Sequence, residues 1–287
     1  MKKIKVITDS NSGILQTEAK NLDLFVIPMP FLINGEEFLE EISITQEKFY
    51  EYLAQNAEVS TSQPSPFYLE ELWQETLKRY DEIVYIPMTS GLSGTYNTAS
   101  ALAEKFNGKV QVVDNRRISV TMKQSVFKAL DLAKQGKSAA KIKAVLESEK
   151  DLQAIFICVN DLKYLKKGGR ISPAAATIGS LLKIKPILTS RGGKFEKFGV
   201  AMSVGQAKKK MILEVKRLIE TEFNEQYKKG ELAVAIAHTN NYEEAESFKK
   251  EVLNDLPNLE FTYVDALSLS VSCHIGSGSI GLAVFNK

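Results

Sequence analysis

"EIVYIPMTSGLSGTYNTASALAEKFNGKVQVVD", residues 82–114, decides how this chain folds. It opens on a run of β-branched and aromatic residues, Ile83 to Ile86, the composition of a buried strand. A turn follows that collects Ser90, Gly91, Ser93, Gly94 and Thr95. "GTYNTASALAEKF" then reads as a helix and "KVQVVD" as the next strand. Strand, helix, strand at this rhythm predicts an α/β protein with a parallel sheet covered on both faces.

Working outward, the same rhythm recurs. "IKVITD" (4–9) is a short β-branched strand, and "LFVIPMPFLI" (24–33) another, with Pro28 and Pro30 limiting how far it pairs. Thr45 is placed to cap a helix through "TQEKFYEYLAQ". "VSTSQPSPF" (59–67) ends an apolar run in hydroxyls and prolines before the helix "SPFYLEELWQETLKRY", and "TMKQSVFKALDLAKQGKS" (121–138) is a further helix. The second half changes character. It reads as the strand "LQAIFICV" (152–159), a glycine-rich loop "LKKGGRISP" (165–173) and a hairpin turning at Arg191–Lys194. A helix over roughly 205–228, the strand "LAVAIAHT", a helix from Tyr242 to Leu253, and the strands "LEFTYVDA" and "SIGLAVF" complete it. The expected organisation is two α/β domains: residues 1–152 with a parallel, Rossmann-like sheet, and 153–287 with a mixed sheet.

Composition narrows the function. Of 287 residues, 44% are hydrophobic and 25% charged, values of a folded globular chain. A net charge of +2 gives no global field for nucleic acid or an anionic membrane, so any membrane contact is expected to be transient. The only cysteines, Cys158 and Cys273, lie far apart in apolar runs, and the only histidines are His238 and His274, so no zinc spacing exists and no metal is expected. Lys5 and Asp9 interrupt any signal-peptide core at the N-terminus, and the apolar runs are too short to cross a bilayer. A cytoplasmic protein with reduced thiols is the expectation.

The two hydroxyl-rich turns carry the chemistry. Ligands of a parallel α/β sheet bind beyond the carboxyl ends of the strands, where backbone N–H groups and helix N-termini point outward. Thr61 and Ser62 stand at one such end, Ser93 and Gly94 at another, and Asp9–Ser10 at a third. Each turn taken singly is as well explained by plain N-capping. No G-x-x-x-x-G-K-[ST] loop is present and neither turn carries Lys or Arg, so a singly charged carboxylate suits these neutral donors better than a phosphate. "GLSGT" approaches a nucleophile elbow but has Thr95 where that motif needs glycine; a serine-dependent esterase or acyltransferase using Ser93 with His274 is the alternative. "GSGSIG" (276–281) matches a dinucleotide fingerprint in letters only, because six residues remain after it and no βαβ unit can follow.

Several stretches in fixed order add a resemblance. "ITDS" (7–10), "TSQPSP" (61–66), "TSGLSGTYN" (89–97), "YLKKGGRIS" (164–172), "LLKIKPIL" (181–188) and "HIGSG" (274–278) span nearly the whole chain. Together they resemble the DegV family, fatty-acid-binding proteins that in many bacteria are the lipid-carrying subunit of fatty acid kinase. The resemblance implies a long-chain fatty acid in a buried tunnel between two α/β domains, with no cofactor beyond that ligand. It places Thr61, Ser62, Ser93, Gly94 and His274 at the acyl carboxylate and Arg170 at the tunnel mouth, facing an ATP-dependent kinase subunit that performs the catalysis. The chain departs from the family pattern at Ser277, where proline is usual, at Met202, where a basic residue is expected, and in "DNRRISVT" (114–121).

The residues fit such a ligand independently. "SPAAATIGSLL" (172–182) offers small and apolar side chains suited to a narrow channel. Burying about fourteen CH₂ groups is worth on the order of 11 kcal/mol gross at ~0.8 each. Hydrogen bonds to a charged group add roughly 1.5–3 kcal/mol apiece before desolvation. The tail therefore supplies affinity, and the hydroxyls orient the headgroup.

Overall fold

The computed structural model describes residues 2–178 and 184–287. Part of two sequence expectations, the end of the "SPAAATIGSLL" helix and the start of "LLKIKPIL", falls outside the described residues.

Three sheets are formed by the described residues. In the first, strands β1 (Ile4–Asp9), β2 (Leu24–Ile27), β6 (Glu82–Ile86) and β7 (Val110–Val112) run parallel in the order β2-β1-β6-β7. Side chains alternate across it, as the two-residue period of a strand requires. Val6, Val84 and Ile86 pack on one face against α5 (Ser119–Lys134) and α6 (Ala139–Ser148). Ile7, Ile83 and Tyr85 pack on the other against α3 (Pro66–Leu77) and α4 (Thr95–Ala103). A short helix, α1 (Gln16–Ala19), lies between β1 and β2.

The second sheet is antiparallel, with β3 (Pro30–Ile33) between β4 (Glu36–Leu39) and β5 (Val59–Thr61). Pro28 and Pro30 break "LFVIPMPFLI" into two strands of different sheets, and Pro30 survives as the first residue of its strand. Helix α2 (Gln46–Ala54), capped by Thr45 as expected, covers this sheet with Phe49, Tyr50 and Leu53.

The third sheet is mixed, ordered β10-β9-β8-β13-β11-β12. It contains β8 (Gln153–Cys158), the hairpin of β9 (Lys185–Ser190) and β10 (Glu196–Ala201), β11 (Leu232–His238), β12 (Glu260–Ala266) and β13 (Ile280–Asn286). Among its described strands β11 and β12 alone pair in parallel. Its outer face, with Phe156, Val234, Ile236, Leu282 and Val284, is filled by α9 (Val204–Glu220) and α11 (Tyr242–Asp255). Its inner face carries Ala233, Ala235, Ala237 and Ala283 beside the larger Ile157, Leu188 and Phe285. Small side chains on that face leave unfilled volume where large ones would close it.

Several boundaries differ from the sequence reading. The helix expected over 121–138 runs over Ser119–Lys134 instead, stopping ahead of Gly136 at φ +78°, and a further helix that the sequence reading did not assign, α6, follows with Ser138 as its cap. The helix expected over 205–228 ends at Glu220 and resumes as α10 (Asn224–Lys228). The glycine-rich loop is partly helical: α7 (Lys163–Gly168) ends at Gly169 in the left-handed region, ahead of a short α8 (Pro173–Ala176). Residues Leu269–Ile275, around His274, form a helix, α12, that the sequence did not announce.

Candidate functional site

Helix α12 lies where the layers meet, and its short turns sort its side chains three ways. Leu269 and Cys273, four residues apart, pack into the cluster of the three-stranded sheet. Val271 and Ile275 pack against the inner face of the mixed sheet. Ser270 and His274 face a cavity of about 220 Å³.

All six residues singled out in the sequence line that one cavity: Thr61, Ser62, Ser93, Gly94, Arg170 and His274. Thr61 ends β5, pairing with Phe31, and its Oγ1 lies 2.9 Å from His274 Nε2. Ser93 and Gly94 form the turn into α4, whose first N–H groups have no partner within the helix. Ser93 Oγ meets Thr95 Oγ1 at 2.9 Å and accepts the Thr95 N–H at 3.2 Å. Gln63 leans over Gly94, with its Oε1 accepting from Thr98 Oγ1 at 3.1 Å. Arg170 joins the two sides of the mouth, its Nε donating to the Leu92 carbonyl at 3.2 Å and its guanidinium to the Gly168 carbonyl.

The electrostatics of this wall are almost neutral. Burial, reinforced by the charge of Arg170, pushes His274 down to about 4, so its imidazole is uncharged at neutral pH. Gly168 is pressed against that ring; a Cβ there would stand 2.1 Å from His274 Nδ1.

Asp9 does not line the cavity but builds its floor. Its Oδ1 accepts from the Asn11 N–H and side chain at 3.0 and 2.8 Å, and its Oδ2 from the Met88 N–H at 3.0 Å. Burial raises its pKa to about 6 against those donors. Asn11, held this way, lines the cavity and accepts from Ser268 and Ser270 at 2.9 and 2.5 Å. Asn11, Gln63 and Ser270 join the expected residues at this cavity. Asn11 follows the Asp9–Ser10 strand end by one residue, and Gln63 lies inside "TSQPSP"; those positions were the available signal.

Ile118, Phe195, Val271 and Ile275 also line a second, apolar cavity of about 30 Å³ on their other side. Its end is formed by Ala237, Gly281 and Ala283 of the mixed sheet's small-residue face, with Ile155, Ile157 and Leu267 beside them. The whole is therefore a bore with hydroxyls, an amide and a neutral imidazole at one end and hydrocarbon at the other. It suits an amphipathic ligand with a single small polar head.

Two other sequence readings meet this geometry differently. An esterase needs a base hydrogen-bonded to its nucleophile, yet Ser93 Oγ is paired with Thr95 and His274 Nε2 with Thr61. "GSGSIG" is the turn between α12 and β13, with Gly276 and Gly278 in the left-handed region. Among the described residues no three His, Cys, Asp or Glu side chains are grouped as metal ligands, and no helix is long and apolar enough to span a membrane. Cys158 and Cys273 are both buried and unpaired, their thiols pushed up by burial.

The hairpin tip is locked against the serine turn. Thr89 Oγ1 donates to the Gly192 carbonyl, and a Cβ on Gly91 would fall 2.2 Å from that same oxygen. Gly192 itself, at φ +99°, leaves no room for a side chain beside Arg116. On the other flank the Phe195 N–H donates to Arg170 O at 2.9 Å and the Ser172 N–H to Phe195 O at 2.8 Å.

Comparison with known proteins gives concordant results. A family model described as "Uncharacterised protein, DegV family" matches residues 3–287. The protein named DegV of Bacillus subtilis (strain 168) is 33% identical over 97% of this chain and 98% of its own length. A crystal structure described as DegV, a fatty acid binding protein from Bacillus subtilis, superposes with a TM-score of 0.83 at 30% identity, covering all of both chains. Another, described as fatty acid binding of a DegV family protein from Thermus thermophilus, gives 0.86 at 27% identity, covering 99% of this chain and 100% of its own.

Proposed function

The chain belongs to the DegV family, and from that premise we propose that it holds one long-chain fatty acid and offers the acid's carboxylate to a separate ATP-dependent kinase. The observation that carries this reading is the pair of adjoining cavities, a polar one at the Thr61–His274 wall and an apolar one at Ala237 and Ala283, with Ile118, Phe195, Val271 and Ile275 lining both. An acyl chain accounts for the apolar part, where each CH₂ taken from water is worth ~0.8 kcal/mol. A carboxylate accounts for the donors: the Ser93 hydroxyl, the α4 N-terminus and the His274–Thr61 pair, with Arg170 the one cation among the described residues that line the cavity.

Delivery to a kinase is supported by the polar end being the open one. Ser62 and Gly94 are exposed there, so a partner reaches the head while the tail stays buried. The chain acts in this reading as a carrier, with the bound acid its only ligand and catalysis left to the kinase. The test is organic extraction of the protein purified from cells, followed by mass spectrometry and by titration with palmitate and oleate. A stoichiometric long-chain acid is expected; an empty protein that takes up neither acid overturns the reading. For the kinase step, acyl phosphate is expected only when protein, acid, ATP and kinase are combined.

A further inference from the structure

A second depression, of about 280 Å³, lies beside the mouth of the acyl cavity and shares Leu92, Ser93, Gly94 and Arg170 with it. We propose that this depression is a phosphoryl-binding subsite, in which Lys194 and Arg170 hold the phosphate of a phosphorylated acyl chain whose tail remains in the bore. The proposal rests on the acyl-binding reading above and extends it to the product.

Three observations support it. First, Lys194 and Arg170 are fixed side by side by the backbone: the Phe195 N–H donates to Arg170 O at 2.9 Å, making their chain segments neighbours. Second, the interlock of Gly91 with Gly192 sets the hairpin tip on the serine turn, which brings Lys194 to Ser93 and Gly94. Third, no carboxylate lines the depression among the described residues. Asp114 stands behind Ser90 and is engaged by it, accepting from the Ser90 hydroxyl at 2.5 Å and its N–H at 3.3 Å. The serine turn carries no cation of its own in sequence, and the fold supplies two.

Charge then separates substrate from product. A carboxylate brings one negative charge, for which the neutral donors and Arg170 suffice. An acyl phosphate, a mixed anhydride, has a neutral carbonyl and carries about −1.5 to −2 on its phosphoryl group at neutral pH, with three strong acceptor oxygens. Lys194 is exposed and makes no ion pair among the described residues, so its ammonium is available to the extra charge. It contributes little to the acid and more to the phosphate, a specificity role rather than a catalytic one.

The experiment is a titration of full-length protein with palmitate and with hexadecyl phosphate, equal in chain length, for wild type, Lys194→Met and Lys194→Arg. Lys194→Met is expected to weaken hexadecyl phosphate about tenfold and palmitate less than about twofold, a difference that shrinks at high salt. Lys194→Arg is expected to restore the phosphate affinity. Equal losses for both ligands, or no loss for either, overturn the subsite while leaving the fatty-acid reading standing. Wild-type protein that binds hexadecyl phosphate through Lys194 but not palmitate supports the subsite and overturns the fatty-acid reading. Binding of neither overturns both.

Discussion

Thr61 Oγ1 and His274 Nε2 stand 2.9 Å apart, although 213 residues separate them in the chain. One comes from the last residue of a strand in the three-stranded sheet, the other from a helix wedged between that sheet and the mixed one. Their meeting lines the polar end of the bore with groups that are uncharged at neutral pH.

His274→Ala is therefore expected to lower fatty-acid affinity by about tenfold or more, the worth of a hydrogen bond to a charged group. The same histidine leaves a mark on stability. Its folded pKa is depressed to about 4 from the usual 6.5, so between those values the unfolded chain binds the proton and the folded one does not. The stability gained by keeping it neutral is full above pH 6.5 and is lost as pH falls towards 4. At pH 5 this amounts to about 2 kcal/mol. Thermal melts at pH 7.5 and 5 should show a smaller acid loss in His274→Asn than in wild type; equal losses would contradict the assignment.

Gly168→Ala should damage the site without damaging the helix. Alanine is the better helix former by roughly 1 kcal/mol, yet its Cβ would sit 2.1 Å from His274 Nδ1. The expected phenotype is a near-normal melting temperature with affinity reduced to that of His274→Ala. The double variant should be no worse than His274→Ala alone, because removing the imidazole removes the collision; additive losses would rule this out.

Ala237→Leu tests the far end. Leucine would project into the apolar extension and shorten it, and each CH₂ no longer buried costs about 0.8 kcal/mol. Competition between laurate, palmitate and stearate should shift towards the shorter acid. A preference identical to wild type would place the tail elsewhere.

Glu40→Gln concerns the scaffold. Glu40 is buried, its Oε1 accepts the Leu269 N–H at the start of α12 at 2.8 Å, and its Oε2 has no partner. Burial raises its pKa from the usual 4.5 to about 8. The folded state holds that proton more tightly, so the penalty for ionising it is absent below pH 4.5, grows through the window and is complete above 8. Glutamine keeps the acceptor and cannot ionise. The variant should melt higher than wild type at pH 8.5 and similarly at pH 4.5, a slope opposite in sign to that of His274.

The parts legible in sequence were those governed by local rules. The strands with β-branched runs, the Thr45 cap and the Arg191–Lys194 hairpin follow from periodicity and turn chemistry. The break at Gly136 and Ser138 had a local signal that the surrounding helical composition obscured. Helix α12 had none beyond Ser268 as a cap: "LSVSCHI" shows no single apolar stripe, because its turns serve two clusters and a cavity at once. Of the site, the hydroxyl turns were visible as strand ends, and His274 and Arg170 only through family resemblance. The apolar half was expected in "SPAAATIGSLL", but none of its described residues, 172–178, lines either cavity; the alanines that do so, in "LAVAIAHT" and "SIGLAVF", read as ordinary buried strand. Lys194 was hidden because its neighbourhood with Arg170 exists only after the hairpin docks.

The docking of Gly192 onto Gly91 constrains how the entrance moves. Two backbones in contact, tied by the Thr89 hydroxyl, behave as a single latch: neither can lift without exposing a carbonyl that has lost its donor. The spacing between Ser93 and Lys194 is thereby set by backbone contact and not by the side chains that line the entrance.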